Sequence, residues 1–158
     1  RIVEVVGFQD LRTHAYPTRI EDTSTVIVRF ANGAHGIIDN YFNLPDAAAQ
    51  NALELHGTKG SLLATGTIGQ DPTGKMFTIL QPEETGYDPN QVRDVPVDRQ
   101  EYRFQGIGLY GQMVAMFADC ILEDRTPPIS LEDGLHSVRV VETIYRAVKE
   151  KRVLPVPA

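Results

Sequence analysis

Cysteine is almost absent from this sequence. Cys120 is the only one, so no disulfide can close within the chain, and a reducing, cytoplasmic setting is expected. No apolar run approaches the ~18 residues that a membrane span needs, so no membrane partner is expected. Basic residues are in deficit, 15 Lys and Arg against 21 Asp and Glu for a formal charge of −6, and none of them cluster. A nucleic-acid partner is therefore not expected, because that balance repels a phosphate backbone. No internal repeat points to a solenoid. The sequence opens Arg1-Ile2-Val3-Glu4-Val5-Val6, without Met or signal peptide, and this predicts a domain cut from something longer.

What is present is ordinary globular composition, 42% hydrophobic and 23% charged over 158 residues, enough for one domain spanning 1–158 with a real core. Ile2 to Phe8 is rich in β-formers, and Thr13 to Thr23, with Pro17 and the acidic pair Glu21-Asp22, reads as a loop. Ser24 to Phe30 alternates and stops at Ala31-Asn32-Gly33, a hairpin signal because Asn and Gly tolerate positive φ. Ala34 to Asn43 returns as the partner strand. Leu53-Glu54-Leu55 and Ser61-Leu62-Leu63 flank Gly57-Thr58-Lys59-Gly60 as a second hairpin. The strands are thus expected to meander in sequence, with shorter ones at Met76 to Leu80 and Val92 to Val97.

The period changes near Leu109. Leu109, Met113, Met116, Phe117, Cys120 and Ile121 recur at steps of three and four, predicting an amphipathic helix that ends before Thr126-Pro127-Pro128. Ser130 followed by Asp133 resembles a capping box. Leu135, Val138, Val141, Ile144, Tyr145 and Val148 then form the stripe of a second helix, Leu131 to Lys149. Phe117 and Val141 are both expected in the core. Strands first and helices last predict an α+β fold, an open and mostly antiparallel sheet with the two C-terminal helices packed on one face.

Gly106-Ile107-Gly108-Leu109-Tyr110-Gly111 matches G-x-G-x-x-G at the start of a helix. A dinucleotide fingerprint also needs a buried apolar strand just before it, and Asp98-Arg99-Gln100-Glu101-Tyr102-Arg103 is too polar for one. Gly57-Thr58-Lys59-Gly60-Ser61 lies between strands, which disqualifies it as a phosphate loop. His14, His35, His56 and His136 lack metal-ligand spacing, although His35 and Asp39 share a strand face and His56 is placed on a neighbouring strand. Cys120 falls on an apolar helix face as a small hydrophobe. The carboxylate pairs Glu21-Asp22, Glu83-Glu84 and Glu132-Asp133 are adjacent in sequence, so they cannot face each other across a substrate, and solvated loops or helix starts account for them. The residues alone contain no catalytic constellation, and no Gly-x-Ser-x-Gly elbow either.

Three segments together resemble the C-terminal domain of the glucose-fructose oxidoreductase, inositol dehydrogenase and MocA (Gfo/Idh/MocA) family. One is the acidic pair, strand and Asn-Gly turn from Glu21 to Ala34. Another is Leu53-Glu54-Leu55-His56-Gly57-Thr58-Lys59-Gly60-Ser61-Leu62. The third runs from Phe117 to Val156 and contains Arg125-Thr126-Pro127-Pro128, Val140-Val141-Glu142-Thr143-Ile144-Tyr145-Arg146-Ala147 and Arg152-Val153-Leu154-Pro155-Val156.

The resemblance implies an oxidoreductase acting on a hydroxyl group of a sugar, cyclitol or related polyol. NAD or NADP would sit in an N-terminal Rossmann domain absent from this chain, so no cofactor-binding, catalytic or metal-binding residue is assigned here. The Lys, Asp and His of the family would lie upstream of Arg1, and the chain alone is expected to bind no cofactor. The resemblance also implies that Tyr41 and Asn43, at the end of the third strand, contact the substrate with a hydroxyl and an amide. It further implies a homo-oligomer built through the sheet face. The alternative is a free-standing sheet-based binding or dimerisation module without catalytic activity.

Overall fold

Alternation makes the second strand, β2 (Thr23–Phe30), half-buried: Ser24, Val26 and Val28 are buried while Ile27 and Arg29 are exposed. It pairs antiparallel with β1 (Ile2–Asp10) on one side and β3 (His35–Tyr41) on the other. The β2-β3 turn forms as its residues dictate. Gly33 takes φ 88°, Asn32 Oδ1 accepts the Ala34 N–H at 3.2 Å, and the Phe30 N–H donates to the Ala34 carbonyl at 2.8 Å. This computed structural model describes residues 1–15, 20–69, 74–81, 98–103 and 108–158. The expected strand Val92 to Val97 and the residues Gly106 and Ile107 lie outside them.

The chain divides into two compact units, Arg1–Ala47 with Arg125–Ala158, and Ala48–Asp124. In the first, four strands take the order β3-β2-β1-β8, where β8 is Leu154–Pro155. Helix α2 (Leu131–Glu150) covers one face of this sheet. It starts at the expected capping box, with the Asp133 N–H donating to Ser130 Oγ and the Ser130 N–H to Asp133 Oδ2, each at 3.1 Å. Val140 and Ala147 of α2 meet Val5, Val26, Val28 and Leu154 in the core, with Ile2, Phe30, Ile144 and Val156 packed around them. Thr143 is buried in the same face, and its hydroxyl donates to the Arg139 carbonyl at 2.6 Å.

The buried face of α2 overlaps the expected one only at Ile144 and Val148, which are partly buried. Leu135, Val138, Val141 and Tyr145 are about half exposed, and Val140, Thr143 and Ala147 face the sheet. The helix carries two stripes at helical spacing, and the periodicity selects the larger side chains. The smaller ones, Ala147 and a self-satisfied Thr143, are what let the helix approach the sheet closely.

In the second unit, β4 (Ala52–Gly57), β5 (Gly60–Thr65), β6 (Lys75–Leu80) and β7 (Asp98–Arg103) follow one another as an antiparallel meander. The Gly57 to Gly60 segment is the expected hairpin turn. Gly60 has φ 145°, and a Cβ there would lie 2.2 Å from the Ile79 carbonyl oxygen, so only glycine fits. All six residues of β7 are exposed, which is why a polar sequence without apolar alternation still forms an edge strand. Helix α1 (Leu109–Leu122) begins after Gly108 and belongs to this unit. Cys120 is buried on it as expected, whereas Phe117 is exposed.

The α+β class, the antiparallel strands and the two helices in the C-terminal part are as the sequence predicts. The strands are shared between two four-stranded sheets, with the break between β3 and β4. Of the helices, α2 is the one packed on the first sheet. Among the described residues no helix is long and apolar enough to cross a membrane.

Candidate functional site

The face of the first sheet opposite α2 is defined by the strand registers. Val6, Ile27 and Ile37 are cross-strand partners in one row, Phe8, Thr25 and Asp39 form the next, and Asp10, Thr23 and Tyr41 the last. A cleft of about 420 Å3 opens over the last two rows, within the usual range for small-molecule sites. Phe8, Asp10, Thr23, Thr25 and Tyr41 supply its floor, and Arg12, Asn43 and Leu44 its rim. Both residues singled out in the sequence, Tyr41 and Asn43, therefore line one cleft.

The polar groups of the cleft are held to one another. The Arg12 guanidinium pairs with Asp10 at 2.7 Å, with both side chains more than half exposed, so the pair is worth little as a staple and leaves the cleft near neutral. The Tyr41 hydroxyl lies 3.4 Å from Thr25 Oγ1. Asn43 Nδ2 donates to Thr13 Oγ1 at 3.3 Å. Among the described residues Asn43 Oδ1 is buried without a hydrogen-bond partner. A buried acceptor left unpaired costs roughly 1–3 kcal/mol.

Beneath the rim lies Asp22, expected from the sequence in a solvated loop. The structure corrects that placement: Asp22 is 1% exposed. Its Oδ1 accepts the Arg12 N–H at 2.8 Å, and its Oδ2 accepts the N–H groups of Thr13 at 2.8 Å and His14 at 3.0 Å. His14 Nδ1 is a further 3.2 Å contact on Oδ2. Burial alone would raise the carboxyl pKa. The three backbone N–H groups, followed by the His14 ring, outweigh it and hold Asp22 far below the usual carboxylate range. The Asp22 backbone also joins strand ends, its N–H donating to the Asp10 carbonyl at 3.0 Å and its carbonyl accepting from the Phe42 N–H at 2.8 Å. His14 and Phe42 then meet as tilted rings with centroids 5.5 Å apart.

Phe8, Asp10, Arg12 and Thr13 were not singled out from sequence, and Asp22 only as half of an acidic pair. For Phe8 and Asp10 the available signal was register: residues two apart on β1 share a face with Thr23, Thr25 and Tyr41. The other candidates do not assemble into sites. His35 and His56 stand on strands of different sheets. His56 instead meets Ser61 at 2.9 Å and Glu54 at 3.4 Å on an exposed strand face. Among the described residues no group of three or more His, Cys, Asp or Glu is placed to hold a metal ion.

Residues 3–157 match the Gfo/Idh/MocA family model for the C-terminal alpha/beta domain of an oxidoreductase family. The chain belongs to that family. Among similar solved structures, aldose-aldose oxidoreductase from Caulobacter crescentus, crystallised with glycerol, is 23% identical with a TM-score of 0.70, over 98% of this chain and 41% of that one. Levoglucosan dehydrogenase in complex with NADH and levoglucosan is 18% identical with a TM-score of 0.74, over 99% and 45% respectively. An NAD binding oxidoreductase from Klebsiella pneumoniae is 16% identical with a TM-score of 0.76, over 99% and 46%. At these identities the likeness is one of fold. This Gfo/Idh/MocA domain spans less than half the length of each of them.

The described strand ahead of Gly108 does not complete a dinucleotide fingerprint. β7, the strand ahead of the Gly106 to Gly111 segment, is exposed and runs antiparallel to β6. The fingerprint needs a buried parallel strand that delivers the pyrophosphate to the helix N-terminus.

Proposed function

We propose that this chain is the substrate-side and oligomerisation domain of an NAD(P)-dependent oxidoreductase that acts on a hydroxyl-bearing carbon of a sugar, cyclitol or related polyol. The observation that carries the reading is the cleft at the end of the open sheet face, where Tyr41 and Asn43 converge. Its chemistry suits a neutral polyol. Tyr41, Thr23 and Thr25 offer hydroxyls, Asn43 an amide, the Asp10 and Arg12 pair an acceptor beside donors, and Phe8 and Leu44 apolar surface for the C–H face of a ring. NAD or NADP, together with the residues that move the alcohol proton, would be supplied by a dinucleotide-binding domain outside this chain. Family membership and the length of the similar structures support this division of labour.

On the same open face, Phe8 is 79% exposed, Ile37 70% and Ile27 51%. Apolar groups in adjacent rows of a sheet are what a two-fold, sheet-to-sheet contact between copies would cover. The coding sequence upstream of Arg1 tests the whole reading. A strand followed by G-x-G-x-x-G, and later a Glu-Lys-Pro motif, is expected there. A start codon immediately before Arg1 would leave the free-standing binding module instead.

A further inference from the structure

We infer that Asp22 is a positioning residue of the cleft, one that holds the Asn43 side chain in place through the Thr13 hydroxyl. The inference rests on the reading of the cleft as a polyol site. Asp22 itself does not line the cleft. Its ionised carboxylate is acceptor-only, and it gathers the N–H groups of three consecutive residues, Arg12 to His14. Three converging donors fix the path of that segment more tightly than one bond would, because each removes a backbone rotation. Two of the three residues so fixed then act on the cleft. Arg12 brings its guanidinium to the rim beside Asp10, and Thr13 presents Oγ1 to Asn43 Nδ2.

That last bond anchors the Asn43 side chain to the segment that Asp22 holds. With Nδ2 committed to Thr13, Oδ1 is the atom left over, and among the described residues it is buried without a partner. The backbone of Asp22 acts in the same direction, since it ties the end of β1, which carries Asp10, to Phe42 between Tyr41 and Asn43.

The test uses the isotope-labelled 158-residue chain, myo-inositol as probe, and NMR of the Asn43 side-chain amide. Thr13→Val keeps the backbone N–H that Asp22 binds and removes only the hydroxyl. It is expected to shift the Asn43 amide resonances and weaken myo-inositol binding about tenfold, with the melting temperature changed by no more than ~2 °C. Thr13→Ser is expected to restore both resonances and affinity. Asp22→Asn is expected to reproduce the Thr13→Val signature together with a lower melting temperature, and Thr13→Val decides alone should Asp22→Asn fail to fold. Unchanged Asn43 resonances and affinity in Thr13→Val would overturn the inference. A native chain that ignores myo-inositol, while its Asn43 resonances still respond to Thr13→Val, would uphold the positioning and overturn the polyol reading.

Discussion

Asp22 is the residue around which the local chemistry of this chain turns. A carboxylate that is 1% exposed is tolerable because backbone donors replace the water it has lost, and they favour its ionised form. The consequence for pH follows from the direction of the shift. The folded-state pKa lies below that of an unfolded Asp, about 3.9, so the contribution of Asp22 to stability is complete above that pH and is lost as the pH falls below it. Urea unfolding of the native chain and of Asp22→Asn is expected to differ most at pH 5 and above, and the difference should shrink steadily toward about pH 2.5. A gap that stays constant over that range would mean that Asp22 is not held as the ionised acceptor. Asp133, whose carboxyl pKa is also lowered by its bonds to the Ser130 backbone and side chain, contributes equally to both proteins and so cancels in the comparison.

At the scale of the element, α2 shows how a helix with two apolar stripes chooses one. The stripe containing Val141 and Tyr145 is half exposed, and Tyr145 spends its hydroxyl on Glu21 Oε1 at 2.5 Å. That bond to Glu21, with burial and the nearby negative charge behind it, raises the Tyr145 pKa. The other stripe, Val140, Thr143 and Ala147, closes the core against Val5 and Val28. Val28→Ala is therefore expected to cost ~2–3 kcal/mol, from two lost methyl groups and the cavity they leave. Val141→Ala should stay within ~0.5 kcal/mol, because its side chain already meets water and alanine is the better helix former. Thermal or urea melts of the two variants decide it, and the reverse order would put the sequence-derived stripe back in the core.

At the scale of the whole molecule, the open face of the first sheet is where the proposed contact between copies would form. α2 buries one side of β1 and β2, and the row of Val6, Ile27 and Ile37 lies on the other. Light scattering at micromolar concentration is expected to give at least twice the 17.5 kDa of one chain. Ile37→Asp, which places a charge in the centre of that row, should return the mass to that of a single chain without unfolding it. A native chain that runs as a monomer would count against the sheet-face oligomer while leaving the cleft reading intact.

Local interactions explain which features were legible in the sequence. The Asn32-Gly33 turn, the Gly57 to Gly60 hairpin, the Ser130 and Asp133 capping box and both helices were readable, because each is fixed by residues within a few positions of one another. Tyr41 and Asn43 were reached through family resemblance, and the tertiary structure brought them to one cleft with Phe8, Asp10 and Arg12. Three things were decided only by tertiary structure: the division of the strands into two sheets, the stripe of α2 that is buried, and the burial of Asp22. Each depends on which distant surfaces meet. A strand edge can pair with any suitably placed strand, an apolar stripe can bury against any apolar face, and an aspartate next to a glutamate reads as solvated until a loop's own N–H groups close around it.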